Sequence, residues 1–310
     1  MLEKPTDVLT MFPIRKNKGQ KRKFCETARG YGEALGYICT EEKSPFGARN
    51  LIFGDPERAN YLVTAHYDTP ARLPFPNFIT PCNIGIYVLY QLAVTAALLL
   101  PCMILGVLVA LLTEEPIWTT VVVYVSLLAV LGLMICGPAN KSNANDNTSG
   151  VILVLEMMKA LPIELRDKVC FVLFDLEEAG LVGSMSYRGK HKQASNNQVV
   201  FNADCVGAGD EILFIPGKEL RKKQRERVER WKALCPVTGE KSITIQDRGI
   251  CFYPSDQANF PWGVGIAAFR RHKAIGLYCN RIHTPKDTIC EINNVILIRD
   301  MLIRIIEKGN

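Results

Sequence analysis

The sequence predicts an α/β sheet protein interrupted by a long apolar helical hairpin. Three observations carry that expectation. Short apolar runs ending in polar residues alternate with amphipathic stretches, the pattern of a sheet flanked by helices. Between Arg72 and Lys141 the only charged residues are Glu114 and Glu115. Apolar residues make up 48 % of the 310 positions, enough for a sizeable core and against a disordered chain.

Taken along the chain, Met1 to Phe24 is charged and interrupted by prolines, with no apolar stretch and no small-residue cleavage pattern, so no cleaved signal peptide is expected. Tyr61-Leu-Val-Thr-Ala65 is a short buried strand. Two apolar runs follow, Ile84 to Leu112 and Ile117 to Cys136. At about 1.5 Å per residue each is long enough for a hydrocarbon layer of roughly 30 Å. Thr113-Glu-Glu-Pro116 makes a polar turn between them, and Pro101 is expected to kink the first. A hairpin buried in a soluble core is the alternative, although few globular helices stay uncharged on every face.

After the hairpin, Ser149 to Leu161 is a helix with Thr148 or Ser149 as its cap and Pro162 beyond its end. Val169-Cys-Phe-Val-Leu-Phe174, Val199-Val-Phe-Asn202 and Ile275-Gly-Leu-Tyr-Cys279 are three further buried strands. Lys218 to Lys232 places Leu220, Val228, Trp231 and Leu234 at helical spacing, so it is expected to be a solvated amphipathic helix, with contact to anionic lipid headgroups as the other use of its charge. The last helix runs from Val295 to Lys308, capped by Asn293 or Asn294, with an apolar stripe that packs on the sheet.

The net charge of +6 is modest and not gathered into a groove, and the basic runs Lys16–Lys23 and Lys218–Lys232 interleave no aromatic beyond Trp231, so no nucleic-acid partner is expected. Eleven cysteines are present. Setting aside Cys102 and Cys136 in the apolar runs leaves nine, an odd number with no C-x-x-C pair, which points to free thiols in a reducing compartment.

The four strands lead into residues that bind metals or move protons: His66-Tyr-Asp68, Asp175-Leu-Glu-Glu178, Asp204 and His283. Asp146 precedes a helix. Singly, each has an ordinary explanation as a cap, a hydrogen-bonded histidine or a solvated acid. Their joint placement at strand ends, where open α/β sheets bind ligands, argues for a site.

His66-Tyr-Asp68-Thr69, Asn145-Asp146-Asn147, Glu177-Glu178-Ala-Gly180, Asn202-Ala-Asp204 and His283-Thr-Pro-Lys-Asp287 resemble, in order, the motifs of the M28 family of zinc peptidases, which includes bacterial aminopeptidases and glutamate carboxypeptidases. The resemblance runs from Asn50 to Thr288, outside the apolar insert. It implies a three-layer sandwich with a mostly parallel mixed central sheet. It also implies that Asp146 bridges two metals, that His66 and Asp204 complete one and Glu178 and His283 the other, and that Asp68 stands behind His66 and fixes its ring.

Carboxylates and imidazoles without a thiolate suit two divalent ions, zinc above all, with cobalt or manganese next. Glu177 is left over as the catalytic base. In extended chain adjacent side chains diverge, so Glu178 is expected to face the metal and Glu177 the attacking water. Cys205 is expected to be a packed thiol. Tyr253 to Phe260 lies where the family often has a substrate loop, with Ser255, Asp256 and Phe260 as candidates, although Gln257 stands where family members often carry His.

The expected function is an exopeptidase, most directly an aminopeptidase acting on small peptides. A glutaminyl-cyclase-like acyl transferase with one zinc and a non-catalytic binding protein on the same fold are the rivals. The expected organisation is a metallopeptidase domain from residues 1–80 and 137–310, with residues 81–136 as a two-span hairpin in the lipid bilayer. Arg72 and Lys141 flank the hairpin, its far turn is acidic and the cysteines are unpaired, so the catalytic domain is expected in the cytoplasm.

Overall fold

Val169-Cys-Phe-Val-Leu-Phe174 carries no polar side chain, and a strand of that kind needs cover on both faces. In the computed structural model, which describes residues 2–236 and 240–308, it lies inside a sheet. The strands are β1 (Cys39–Lys43), β2 (Arg49–Phe53), β3 (Tyr61–His66), β4 (Val169–Phe174), β5 (Val199–Ala203), β6 (Glu211–Pro216), β7 (Ser242–Ile245), β8 (Gly263–His272) and β9 (Gly276–Tyr278). Their order is β1-β2-β4-β3-β5-β8-β6-β7, with β9 on β8. The central four, β4, β3, β5 and β8, are parallel, and antiparallel pairings flank them on both sides.

The period of two along each strand divides the core. Tyr61, Val63 and Ala65 of β3, and Phe171 and Leu173 of β4, face one cluster. Leu62, Val172 and Phe174 face the other. Helices α1 (Lys18–Ala34), α4 (Gly150–Ala160) and α8 (Ile292–Lys308) cover the first face, and α5 (Val182–Lys190) brings Tyr187 to the second. This makes three layers.

Between β3 and β4 the chain leaves the sheet as α2 (Ile84–Thr113) and α3 (Ile117–Cys136), with Glu114 in the left-handed region at φ 58° to turn the corner. The two helices touch closely at Gly106, where a Cβ would stand 2.7 Å from the Thr119 carbonyl and 2.8 Å from Val123 Cγ2. Only Cys102 and Gly106 of α2 are buried, and no residue of α3 is. Leu112 is 84 % and Leu128 67 % exposed, so this chain's own core does not cover the hairpin.

Several details differ from expectation or refine it. Ile275 to Cys279 is not a buried member of the parallel set: β9 is three half-buried residues antiparallel to β8, and β8 takes the fourth parallel position. β8 is hard to see in sequence because Gly263 and Gly265 weaken its strand signal; both are needed, since a Cβ on Gly263 would meet the Gln257 carbonyl. Ser149 stands at the N-cap of α4 as expected, but its side chain makes no capping bond, and it is Asn147 Oδ1 that accepts the Gly150 amide at 3.0 Å. α8 begins at Ile292, and Asn294 is a buried brace donating to the Val206 and Gly209 carbonyls at 3.1 and 2.9 Å.

The basic amphipathic segment is broken at Gln224 into α6 (Lys218–Lys223) and α7 (Arg225–Ala233). Leu220, Val228 and Trp231 are buried under it, with the Trp231 ring 5.4 Å from that of Phe201.

Candidate metal centre

Because β3, β4 and β5 are parallel, their carboxyl ends deliver side chains to one edge of the sheet. His66 closes β3, Asp175 follows β4, and Asp204 follows β5. Asp146 arrives from a wide turn ahead of α4, where it and Asn147 leave helical geometry; the peptide bond between them is cis. His283 comes from the loop after β9, 3.1 Å from Asp146.

Asp146 stands between the two rings. Its Oδ1 lies 3.3 Å from His66 Nε2 and its Oδ2 lies 3.1 Å from His283 Nε2. Asp204 Oδ1 is 3.7 Å from His66 Nε2, and Glu178 Oε2 is 3.4 Å from His283 Nε2. Two groups of donors result, His66–Asp146–Asp204 and Asp146–Glu178–His283, and they share Asp146. His66, Glu177 and Glu178 form a third cluster on the same side.

The glutamate pair is not in extended chain, as the sequence argument assumed. Leu176 sits at φ 54°, and the Glu177 carbonyl accepts the amides of Gly180 and Leu181 at 2.9 and 2.8 Å, so Glu177 and Glu178 open a tight turn. The turn aims both carboxylates toward His66. Asp68 secures it, accepting the Glu177 amide at 3.0 Å and the Glu178 amide at 3.3 Å while lying 3.5 Å from His66 Nδ1. Cys205 and His283 are also left-handed, at φ 59° and 63°, so the loops after β4, β5 and β9 all turn through such residues at the site. Positions of this kind cost about 1–3 kcal/mol and persist where the surroundings over-determine them.

Electrostatics make the cluster cation-seeking. Burial pushes the carboxyls of Glu177 and Glu178 well above their ordinary range, and neighbouring acids push them further. Burial opposes ionisation of Asp146, yet His283 and His66 outweigh it and hold the carboxyl below the usual range. Burial likewise disfavours charge on His66 and His283, and the surrounding carboxylates overcome it and raise both. Asp204 Oδ1 and His66 Nδ1 are buried without a hydrogen-bond partner among the described residues. Buried anionic oxygens at this density fit divalent cations, which satisfy several of them at once.

The scaffold around the centre includes residues that the sequence argument passed over. Asp287 accepts the amides of Asn145 and Asp146 at 3.0 and 2.9 Å. Arg15 is fully buried and donates to the Tyr67 carbonyl at 2.6 Å and to Thr148 Oγ1 at 3.1 Å, joining the β3 end to the Asp146 turn; burial lowers its pKa to about 10. Arg15 lies among prolines and lysines, so only its burial distinguishes it, whereas Asp287 stands within a motif already singled out.

Ser255, Asp256 and Phe260 are all buried. Ser255 Oγ accepts from Asn202 Nδ2 at 2.9 Å, and Phe260 packs against Phe174 and Tyr187. Gln257 accepts from the same Asn202 amide at 3.1 Å. Asp256 lies within electrostatic range of Glu177, and burial pushes its own carboxyl up to about 7. Cys205 is a packed thiol: it is buried, and burial drives its pKa far up.

Residues 129–300 match the model of peptidase family M28. Aminopeptidase YwaD of Bacillus subtilis is 41 % identical over 135 residues, which cover 39 % of this chain and 29 % of that protein, so the chain spans less than a third of that relative's length. Among solved structures, a glutaminyl cyclase of Porphyromonas gingivalis aligns with a TM-score of 0.59 at 15 % identity, covering 98 % of this chain and 95 % of its own. A Zn-dependent exopeptidase of Parabacteroides distasonis aligns at 0.58 and 13 %, covering 98 % and 94 %. LapB of Legionella pneumophila aligns at 0.58 and 13 %, covering 98 % and 70 %. These likenesses establish a shared fold. The family match takes in Asp146, Glu177, Glu178, Asp204 and His283, while β3 brings His66 and Asp68 to them by parallel pairing. With 172 of its 310 residues matched and the fold of a zinc exopeptidase, the chain belongs to peptidase family M28.

Proposed function

We propose that the protein is a metal-dependent exopeptidase, an aminopeptidase that removes the amino-terminal residue of small peptides at a centre for two divalent ions. The observation that carries this is the placement of the two Asp146 oxygens, one toward each histidine. His66 and Asp204 would complete one ion's ligands and Glu178 and His283 the other's, with Asp146 shared. Zinc suits this donor set best, and cobalt or manganese suits it next. When bound, such ions supply Lewis acidity that polarises a scissile carbonyl and makes water nucleophilic near neutral pH.

The chain's own residues do the rest. Glu177 takes the proton of the attacking water and returns it to the leaving amine, and burial raises its carboxyl above the ordinary range. Asp68 holds the glutamate turn through two backbone amides and faces His66. Asp256 lies within electrostatic range of Glu177, and its buried carboxyl, raised to about 7, ionises where a substrate ammonium would pair with it. The thiol of Cys205 is buried and neutral and takes no part.

Treating the protein with a chelator should abolish hydrolysis of aminoacyl chromogenic substrates, and zinc or cobalt should restore it. Activity that survives full metal removal would sink the mechanism. The cyclase reading, prompted by the shared fold, requires one metal per chain and conversion of amino-terminal glutamine. Elemental analysis that finds two metals, with no cyclisation of a glutaminyl peptide, favours the peptidase.

The hairpin of residues 81–136 completes the proposal as a two-span membrane anchor, with residues 1–80 and 137–310 forming the catalytic domain on the cytoplasmic face. Its unburied apolar surface supports the anchor, and the Arg72 and Lys141 flanks support the orientation.

A further inference from the structure

A cavity of about 730 Å³ extends from Glu178, one of the proposed metal ligands, and Asp68 behind His66 to the foot of the hairpin. Asp68 and Glu178 line its inner end, and Ile135, Cys136 and Gly137, where α3 finishes, line its outer end. Leu176, Ala179 and Val182 add apolar lining to it, and Lys16 and Lys21 add positive charge. Its size falls in the range of pockets that enclose a ligand of several residues' bulk, roughly 300–1,000 Å³.

The proximity of the two ends is built in. Lys16 Nζ donates to the Ile135 carbonyl at 2.9 Å and reaches the Thr69 carbonyl at 3.5 Å. The Arg72 amide donates to the Pro138 carbonyl at 2.8 Å, the Asn140 amide donates to the Pro70 carbonyl at 3.0 Å, and Ala71 bridges Ala139. The chain that has just delivered His66 and Asp68 is thus stitched to the chain that has just left α3. At the rim stands Phe46, 88 % exposed on a left-handed turn at φ 56°. An exposed aromatic beside the end of an apolar helix suits the headgroup level of a bilayer.

We infer that this cavity receives the substrate's chain from the bilayer surface, and that the preferred substrates are membrane-partitioned peptides with a free amino terminus and an apolar segment behind it. This rests on the exopeptidase and anchor proposed above. A centre serving freely diffusing peptides has no need of a mouth shared with the foot of a membrane helix. Here any chain that leaves the carboxylates through this cavity passes Cys136 and Phe46 on its way to the headgroups.

The test uses the full-length, zinc-loaded protein in phosphatidylcholine vesicles and two reporter peptides that share their first two residues. One continues with a Gly-Ser tail, the other with an apolar tail that partitions into the vesicle. The expected result is kcat/KM at least about tenfold higher for the apolar tail, in keeping with the gain from each buried methylene. Cys136→Trp, which narrows the outer end, should lower that ratio several-fold, whereas Cys136→Ala should keep it. A ratio near one overturns the inference, and so does a high ratio untouched by Cys136→Trp, which would mean that tethering alone supplies the preference. Hydrolysis of neither reporter would instead overturn the exopeptidase proposal itself.

Discussion

Glu177 and Glu178 are neighbours in one turn, and their proposed roles separate only through what each meets. Glu178 Oε2 is 3.4 Å from His283, while Glu177 belongs to neither of the two groups that share Asp146. Glu177→Gln should therefore keep both metals and slow turnover by at least about a hundredfold, the usual effect of losing a general base. Glu178→Ala and His283→Ala should lose metal as well, which elemental analysis reads directly. Near-normal rates in Glu177→Gln would show that another group moves the proton. Asp256 gives a second residue-level check. With its carboxyl raised from 3.8 to about 7, the folded chain holds a proton that the unfolded chain has released between those pH values. Stability conferred at acid pH is then lost as pH rises through that window, and the full penalty of the buried charge is present above it. In chelator-treated protein Asp256→Asn should raise the melting temperature more at pH 8 than at pH 5. An equal shift at both would mean that Asp256 ionises normally in the fold.

At the scale of elements, the loop from Tyr253 to Phe260 is tied to the sheet at both ends. Asn202 of β5 donates to Ser255 and Gln257, and Phe260 stacks on Phe174 of β4. Phe260→Ala should cost about 3–5 kcal/mol by opening a hole in that cluster, measured by denaturant unfolding. A small loss of stability with a large rise in KM would instead place Phe260 in the substrate pocket. The strands of this sheet were legible where both faces are apolar, as in β4, because a continuous apolar run has few other uses. β8 was not legible, because close approach of Gln257 demands glycine at positions where a strand ordinarily shows branched side chains. The side-chain bonds at the helix starts were not legible for a related reason. Ser149 holds the N-cap position of α4, but the side-chain bond to Gly150 comes from Asn147, which also bonds Ala203 and Cys205, contacts that local sequence does not encode.

For the whole molecule, His66 and Asp68 precede the hairpin and Asp146, Glu177, Asp204 and His283 follow it, yet they meet at one sheet edge. If the hairpin is the anchor proposed above, it crosses a bilayer an even number of times, and Glu114 and Glu115 then lie opposite the catalytic domain. In a variant with its native cysteines replaced, a labelling reagent confined to the outside of intact cells should modify a cysteine placed at Glu114 and spare one placed at Lys286. The reverse pattern would overturn the cytoplasmic assignment, and labelling at neither would overturn the two-span crossing.

What the sequence by itself determined is what periodicity and composition record: buried strands, an apolar hairpin of spanning length, and the residue types gathered at strand ends. Tertiary structure alone decided how these meet. It set one Asp146 oxygen toward each histidine, turned Leu176 left-handed so that both glutamates face the cluster, buried Arg15 and enlisted Asp287. It also set Glu178 and the foot of α3 on one cavity. The physical reason is range. A period of two or 3.6 is written within a dozen residues, whereas Arg15 and Thr148, or His66 and His283, become neighbours only after parallel strand pairing brings distant chain together at one edge.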